Sequence, residues 1–125
     1  SNSLAPMIAE ASITVLDMLE NQSDLRGRLR RNTAHFRKRM TALGFEILPG
    51  EHPISPVMLR DPQLAQDMAA QLGKKGVFVT AFSFPVVPRG QDRIRTQMSA
   101  AHSIEDLDRA IDAFAEVGRD LKVIQ

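Results

Sequence analysis

The segment 93–98, which reads RIRTQM, carries the side chains best suited to bind a small anion. In an extended strand, alternate residues share one face, so Arg93 and Arg95 lie opposite Ile94 and Thr96. A guanidinium held on a rigid strand presents a planar fork that pairs with a carboxylate or a phosphate through two hydrogen bonds. The same pattern also fits a surface arginine in an ordinary salt bridge, and the spacing alone leaves both interpretations open.

The beginning of the chain holds a second candidate anion site. Ser1 and Asn2 offer a hydroxyl, an amide and backbone donors at the start of a predicted helix, and helix N-termini bind phosphate well. The alternatives are that the pair only caps the helix or is left over from removal of a tag. A start at Ser1 rather than Met favours the interpretation that the chain is part of a longer protein.

The loop 82–90, which reads FSFPVVPRG, is more apolar than a solvent-exposed loop usually is. Two interpretations follow. The loop covers the core of its own domain, or it lines an interface or pocket formed with a partner.

Composition excludes several classes of function. The chain has 125 residues, the size of one domain, and no cysteine, which excludes disulfides, cysteine-ligated metals and thiol nucleophiles. The three histidines are scattered and predict no metal site. His35 and His52 show no partners in the sequence, and His102, beside Ser103, is expected to belong to the entry of a helix and not to catalysis. No apolar run approaches the roughly 20 residues of a membrane span.

A run of basic residues between positions 26 and 39 is the strongest charge feature. On a helical wheel these residues surround an apolar stripe instead of forming one face, and the net charge of the chain is only +1. The pattern favours a solvated helix surface over binding to nucleic acid. The run consists of Arg26, Arg28, Arg30, Arg31, Arg37, Lys38 and Arg39.

The elements that would position these side chains follow from hydrophobic spacing and end signals. We predict a helix that starts near Pro6 and stops near Asn21, then a second helix capped by Ser23 and ended by Gly44. The further predictions are strands at 45–47 and 54–59, a helix at 62–75 capped by Asp61, strands at 77–82 and 93–98, and a last helix capped by Ser103. The apolar stripe of that last helix consists of Leu107, Ala110, Ile111, Phe114 and Val117. Pro56 suggests that the second strand lies at an edge or carries a bulge.

This order predicts an α+β fold in which helices pack on one face of a small, mostly antiparallel sheet. Residues 1–22 would form a connecting helix from an absent large domain. Residues 23–125 would form a small C-terminal domain.

Four separated segments carry a family resemblance. They are Ser1–Pro6, Pro56–Leu59, Phe84–Gly90 and Arg93–His102. In this order and spacing they resemble the α-oxoamine synthases, and within that family the glycine C-acetyltransferases, also called 2-amino-3-ketobutyrate coenzyme A ligases. The resemblance covers essentially the whole chain and implies the C-terminal small domain of a fold-type I enzyme that depends on pyridoxal phosphate (PLP).

The resemblance implies a function for the complete enzyme. Such enzymes join glycine and acetyl-CoA to give 2-amino-3-oxobutyrate and free CoA, or run the reverse reaction in threonine breakdown. The cofactor stabilises the carbanion, and the protein supplies orientation and charge. Family members are homodimers, and the resemblance gives no role to nucleic acid or a membrane. It is compatible with a bacterial cytoplasm, the first expectation, or with a mitochondrial matrix.

The resemblance also assigns residues. Arg95 corresponds to the residue that binds the carboxylate of the amino acid, and Ser1 and Asn2 correspond to the pair that reaches the PLP phosphate in the partner subunit. The cofactor lysine of the family lies upstream of Ser1, so no catalytic residue is expected within these 125 residues. The chain alone is therefore expected to bind no PLP and to have no transferase activity.

Two positions favour the acetyl-transferring members. The 5-aminolevulinate synthases have a threonine where this chain has Val86, and relatives tend to have a threonine in place of Asn2. An apolar Val86 suits a short acetyl group. The alternatives are another α-oxoamine synthase, such as a 5-aminolevulinate or 8-amino-7-oxononanoate synthase, a stand-alone α+β module that binds a ligand or protein, and a basic RNA-binding domain.

Overall fold

A computed structural model describes residues 15–125 of the chain, with side chains from residue 24 onward. Within those residues the chain forms three helices and four short strands. The helices are α1 (Val15–Leu43), α2 (Pro62–Lys74) and α3 (Ile104–Asp120), and the strands are β1 (Glu46–Ile47), β2 (Val57–Met58), β3 (Thr80–Phe82) and β4 (Arg93–Arg95). None of these three helices combines the length and the apolar character needed to cross a lipid bilayer.

The four strands form one antiparallel sheet in the order β1-β2-β4-β3. Ile94 of β4 lies opposite Val57 of β2 and Ala81 of β3. Ile94 and Val57 are completely buried, and they share one core cluster with apolar side chains of all three helices. The helices therefore pack against one face of the sheet, which confirms the predicted fold class.

The ends of α2 and α3 are set by side chains that were predicted as caps. Asp61 accepts hydrogen bonds from the backbone amides of Gln63 (2.8 Å) and Leu64 (3.1 Å) at the start of α2. At α3 the Ser103 hydroxyl accepts a bond from the amide of Asp106, whose carboxylate accepts one from the amide of Ser103, forming a capping box. These bonds to Ser103 are the largest cause of the lowered pKa of Asp106.

The predicted break in the first half of the chain is wrong. Helix α1 runs without interruption through Asn21 and Ser23, so Ser23 does not cap a second helix. Asn and Ser each make a helix less stable than Ala does by only about 0.5 kcal/mol. Neither proline nor glycine is present at positions 21–23 to end the helix. The predicted boundary between residues 22 and 23 thus falls inside α1, and the division into two parts remains a prediction.

The strands are shorter than predicted, and β2 is not at an edge. It pairs with β1 on one side and β4 on the other, and Pro56 lies immediately before it. A proline needs no ladder donor at that position, because the strand has not yet begun. The segment 54–59 also contributes a single bridge, in which Ile54 pairs with Gln97.

Two residues of the basic run, Arg37 and Arg39, form contacts that stabilise the fold. Arg37 donates hydrogen bonds to the carbonyl oxygens of Leu48 (2.5 Å), His52 (3.0 Å) and Ile54 (3.0 Å), which holds the β1–β2 loop against α1. Arg39 forms an ion pair with Asp108 of α3 at 3.0 Å. The sequence predicted a solvated helix surface, and the structure adds contacts of Arg37 and Arg39 within the domain.

Candidate functional site

Arg95 is at the end of β4 and is exposed, in contrast to the residues on either side of it. Its neighbours Ile94 and Thr96 are 0% and 6% exposed, whereas Arg95 itself is exposed. The predicted alternation of the strand is therefore confirmed. Among the side chains from residue 24 onward, none forms a hydrogen bond or an ion pair with the Arg95 guanidinium. The interpretation of Arg95 as a surface arginine in an ordinary salt bridge has no support in this part of the chain.

Arg60 shows how another arginine of the domain is paired within the chain. Glu46 of β1 accepts two hydrogen bonds from Arg60, at 3.1 Å from Nε and 2.5 Å from Nη2. The hydrogen bond from Arg60 is the largest cause of the lowered pKa of Glu46. Arg93 donates through Nε to the backbone oxygen of Gln91 (2.9 Å). Arg95 thus differs from Arg60 and Arg93, because within the described residues no acceptor takes a hydrogen bond from its guanidinium.

A cleft of about 510 Å³ opens where β3 begins and β4 ends, and Arg95 is part of its lining. Most of the other lining is apolar and includes Phe36, Phe78 and Phe114. His102 also lines the cleft, is 9% exposed, and has no hydrogen-bond partner for either ring nitrogen in the described structure. The prediction that His102 belongs to the entry of the last helix is confirmed, because it immediately precedes the cap Ser103.

The turn that leads from β4 to α3 is anchored from α1. Asn32 is completely buried, and its amide nitrogen donates to the carbonyl oxygens of Ser99 (2.8 Å) and His102 (2.9 Å). A buried amide that satisfies two loop carbonyls fixes both the loop and the helix register. The turn that forms the wall of the cleft next to Arg95 is therefore held in place by hydrogen bonds from α1.

The apolar loop 82–90 does not use its most apolar side chains to cover the core. Phe84 is 53% and Val86 is 72% exposed, while the Arg89 guanidinium lies 3.9 Å from the centre of the Phe84 ring. Exposed apolar side chains of this size are typical of a surface that meets another molecule. Of the two interpretations of this loop, an interface or pocket fits the geometry better.

The remaining histidines contact groups that the sequence did not reveal. His35 Nε2 lies 2.7 Å from Asp108 Oδ1, and His52 Nδ1 accepts a hydrogen bond from the amide of Ile54 (3.0 Å). The expectation that they lack partners is wrong, because α3 brings Asp108 beside His35 and a local turn brings the Ile54 amide beside His52. Among the described side chains, no three His, Asp or Glu residues come together as a metal site.

No lysine is among the residues that line the cleft. Lys75 instead pairs with Glu116 at 3.0 Å. The lysines of the chain are Lys38, Lys74, Lys75 and Lys122. Ser1 and Asn2, the residues predicted to reach the phosphate, lie outside the described residues.

Comparison with known families identifies the family. The model for aminotransferase class I and II proteins matches residues 1–114. The chain belongs to the aminotransferase class I and II family. The fold described above, with its single antiparallel sheet and one covered face, is thus the fold of a part of these enzymes.

The sequence is similar to those of several characterised relatives in this family. It is 54% identical over 99% of its length to 2-amino-3-ketobutyrate coenzyme A ligase of Escherichia coli K12 and 48% identical over 95% to the human mitochondrial enzyme of that name. Identity to 8-amino-7-oxononanoate synthase of Symbiobacterium thermophilum is 42% over 99% of the chain. The chain spans only 31%, 28% and 32% of the lengths of these relatives.

Solved structures agree with this placement. Serine palmitoyltransferase of Sphingomonas wittichii superposes with a TM-score of 0.78 at 25% identity, covering 82% of this chain and 26% of that one. The S. paucimobilis enzyme, solved with a bound PLP–myriocin aldimine, gives a TM-score of 0.80 at 27% identity, covering 86% of this chain and 27% of that one.

Sequence reasoning found Arg95 but missed the residues that support it. Asn32 lies among arginines in a helix, and nothing local marks it as a tie to a loop almost 70 positions away. Thr96 was predicted to face the core, yet its hydroxyl partner is the carbonyl oxygen of Ser55, 41 positions away. A polar residue on an otherwise apolar face is the one signal that could have drawn attention to both, because a buried polar group needs a partner.

Proposed function

We propose that the chain is the substrate-binding C-terminal part of a PLP-dependent acyltransferase that joins glycine and acetyl-CoA to give 2-amino-3-oxobutyrate and CoA. The observation that carries this proposal is Arg95, a strand-borne guanidinium without a partner in the described structure, at the edge of a cleft. The resemblance assigned this residue to the amino-acid carboxylate, and the geometry leaves its fork free for that task.

In this proposal Arg95 binds and orients, and it does not carry out proton transfer. Two parallel hydrogen bonds fix the carboxylate in one plane, which limits rotation of the small amino acid about its remaining bonds. PLP would supply the electron sink for the carbanion. By the resemblance, the lysine that holds PLP and the groups around its ring would belong to the rest of the enzyme. The chain alone is therefore expected to have no transferase activity.

The complete enzyme would act as a homodimer, in which Ser1 and Asn2 reach the cofactor phosphate of the partner subunit. The exposed side chains of Phe84 and Val86 are consistent with a surface that other parts of the enzyme cover. The two relatives of the same name come from a bacterium and from mitochondria, and both compartments remain compatible with the proposal.

A second candidate function is that of another α-oxoamine synthase. It is favoured by the 42% identity to 8-amino-7-oxononanoate synthase and by the structural similarity to serine palmitoyltransferase. The higher identity to the 2-amino-3-ketobutyrate ligases and the apolar Val86 in the exposed loop favour the acetyl-transferring reaction.

The test is an acyl-CoA panel with the complete enzyme and glycine as the amino acid. We expect acetyl-CoA to give the highest kcat/KM, ahead of succinyl-CoA and of long acyl-CoAs. The matched variant Val86→Thr should narrow the ratio of acetyl-CoA to succinyl-CoA, since a hydroxyl can bind the distal carboxylate. A faster reaction with succinyl-CoA or a long acyl-CoA would overturn the proposed acyl specificity.

A further inference from the structure

The residue beside Arg95 makes a cross-strand contact that the regular ladder does not explain. The Thr96 hydroxyl donates a hydrogen bond to the carbonyl oxygen of Ser55 at 2.6 Å, and the Ser55 amide donates to the carbonyl oxygen of Thr96 at 2.8 Å. Both residues are buried, at 6% and 0% exposure. In a regular hydrogen-bonded pair of antiparallel strands, each backbone amide donates to the carbonyl oxygen opposite. Here the Thr96 hydroxyl is the donor to Ser55 in place of the Thr96 amide.

This contact lies at the point where the pairing between β3 and β4 ends. The ladder between β3 and β4 ends at the pair Thr80–Arg95, and the cleft opens beside the residues that follow. Beyond Arg95 the strand is therefore held from the other side, by Ser55 and by the bond from the Met98 amide to the carbonyl oxygen of Pro53 (2.9 Å). The Thr96–Ser55 pair is the support nearest to the arginine along the chain.

We propose that Thr96 is a positioning residue that sets the direction of the Arg95 guanidinium toward the substrate carboxylate. The inference rests on the proposed function. Thr96 also lines the cleft, but its hydroxyl is donated to the carbonyl oxygen of Ser55, so its effect on Arg95 passes through the backbone that the two residues share. A bidentate pair depends on orientation, and a displacement of about 1 Å is enough to weaken it severely.

Thr33 provides a matched control for this idea. It is 2% exposed, and its hydroxyl donates to the carbonyl oxygen of Leu29 at 2.8 Å. The changes Thr96→Val and Thr33→Val therefore remove the same group, with the same kind of partner, from two buried sites. Only the first site is adjacent to Arg95 in the chain, and Thr96→Ser keeps the hydroxyl there.

The experiment measures steady-state kinetics and the melting temperature of the complete, PLP-loaded enzyme. Removing one well-formed hydrogen bond predicts that Thr96→Val raises the KM for glycine about threefold to tenfold. The KM for acetyl-CoA and kcat should each stay within about twofold of their values in the unchanged enzyme. Thr33→Val should leave the KM for glycine unchanged despite a similar drop in melting temperature, and Thr96→Ser should restore it.

Two results would overturn the inference. One is an unchanged KM for glycine in Thr96→Val, and the other is an equal rise in Thr33→Val, which would indicate general loosening of the domain. If the valine variant does not fold, Thr96→Ala and Thr33→Ala serve the same comparison. Arg95→Gln separates the two proposals: if it leaves the KM for glycine unchanged, the proposed role of Arg95 itself fails. If Arg95→Gln raises that KM and Thr96→Val does not, only the role of Thr96 fails.

Discussion

Arg60 and Arg95 both belong to the region of the small sheet, but within the described structure only Arg60 is paired with a carboxylate. The fork of Arg60 is filled by both carboxylate oxygens of Glu46. The fork of Arg95 has no such acceptor within the described structure, although the residues that follow it are held by hydrogen bonds to Ser55 and Pro53. The Glu46–Arg60 pair therefore displays, inside one molecule, the geometry that Arg95 would offer to a carboxylate from outside.

This difference separates charges that serve the fold from charges that serve a ligand. Arg37 and Arg39 also direct their guanidinium groups to acceptors of their own chain. A cation that is satisfied internally has little attraction left for a substrate. One that is held rigidly and left unpaired is pre-organised for binding, because its orientation has been fixed in advance by folding.

The largest effect is expected at Arg95. In the complete enzyme, Arg95→Gln should reduce kcat/KM for glycine roughly 100-fold to 1,000-fold, because two charge-assisted hydrogen bonds are lost. Arg95→Lys keeps the charge without the fork and should lose roughly tenfold. Arg60→Gln is the control, since it removes an arginine of the same region that is already paired. A loss of similar size in Arg60→Gln would break the distinction between the two.

A loss of stability instead of activity is expected at Arg37. Replacing it by methionine keeps much of the side-chain stem but leaves three carbonyl oxygens without their donor, which should lower the free energy of unfolding by about 2–4 kcal/mol. Arg30→Met, at an exposed position of the same helix, should change it by less than about 0.5 kcal/mol. Denaturant unfolding of the two variants measures the difference. Equal stability would show that the internally satisfied arginine does not hold the loop.

The smallest effect concerns the ion pairs between α1 and α3. Hydrogen bonding with His35, and then with Arg39, lowers the pKa of Asp108 below its ordinary value. A lowered pKa in the folded state means that Asp108 adds stability above its unfolded pKa of about 3.9, and that this is lost as the pH falls through the folded value. Asp108→Asn should therefore lower the melting temperature slightly at pH 6 and not at pH 2.

Asp120→Asn removes the same charge from an exposed residue that forms no ion pair among the described side chains. It should show a weaker dependence on pH than Asp108→Asn. If the melting temperatures of the two variants change alike between pH 6 and pH 2, the contacts of Asp108 contribute nothing specific.

The sequence was sufficient for features that depend on local chemistry. The caps Asp61 and Ser103, the buried stripe of the last helix and the alternation around Arg95 were all predictable, because each depends on residues within a few positions of one another. Fold class followed from the order of such elements. The break predicted at Ser23 failed for the same local reason, since a good capping residue is not forced to cap when the helix can continue through it.

Features that depend on residues distant in the sequence could not be predicted. The bonds from Asn32 to the turn at Ser99 and His102, and from Thr96 to Ser55, join positions separated by 41 to 70 residues. Nothing in the spacing of the chain selects those partners. The same holds for the cleft, whose lining is assembled from α1, α3 and the sheet.

The most direct test of the central claim is a crystal structure of the complete enzyme with glycine bound. The account predicts that both carboxylate oxygens lie about 2.7–2.9 Å from two guanidinium nitrogens of Arg95 in a parallel fork. It would be contradicted by a structure in which Arg95 pairs with a carboxylate of the protein itself while glycine is held by other groups.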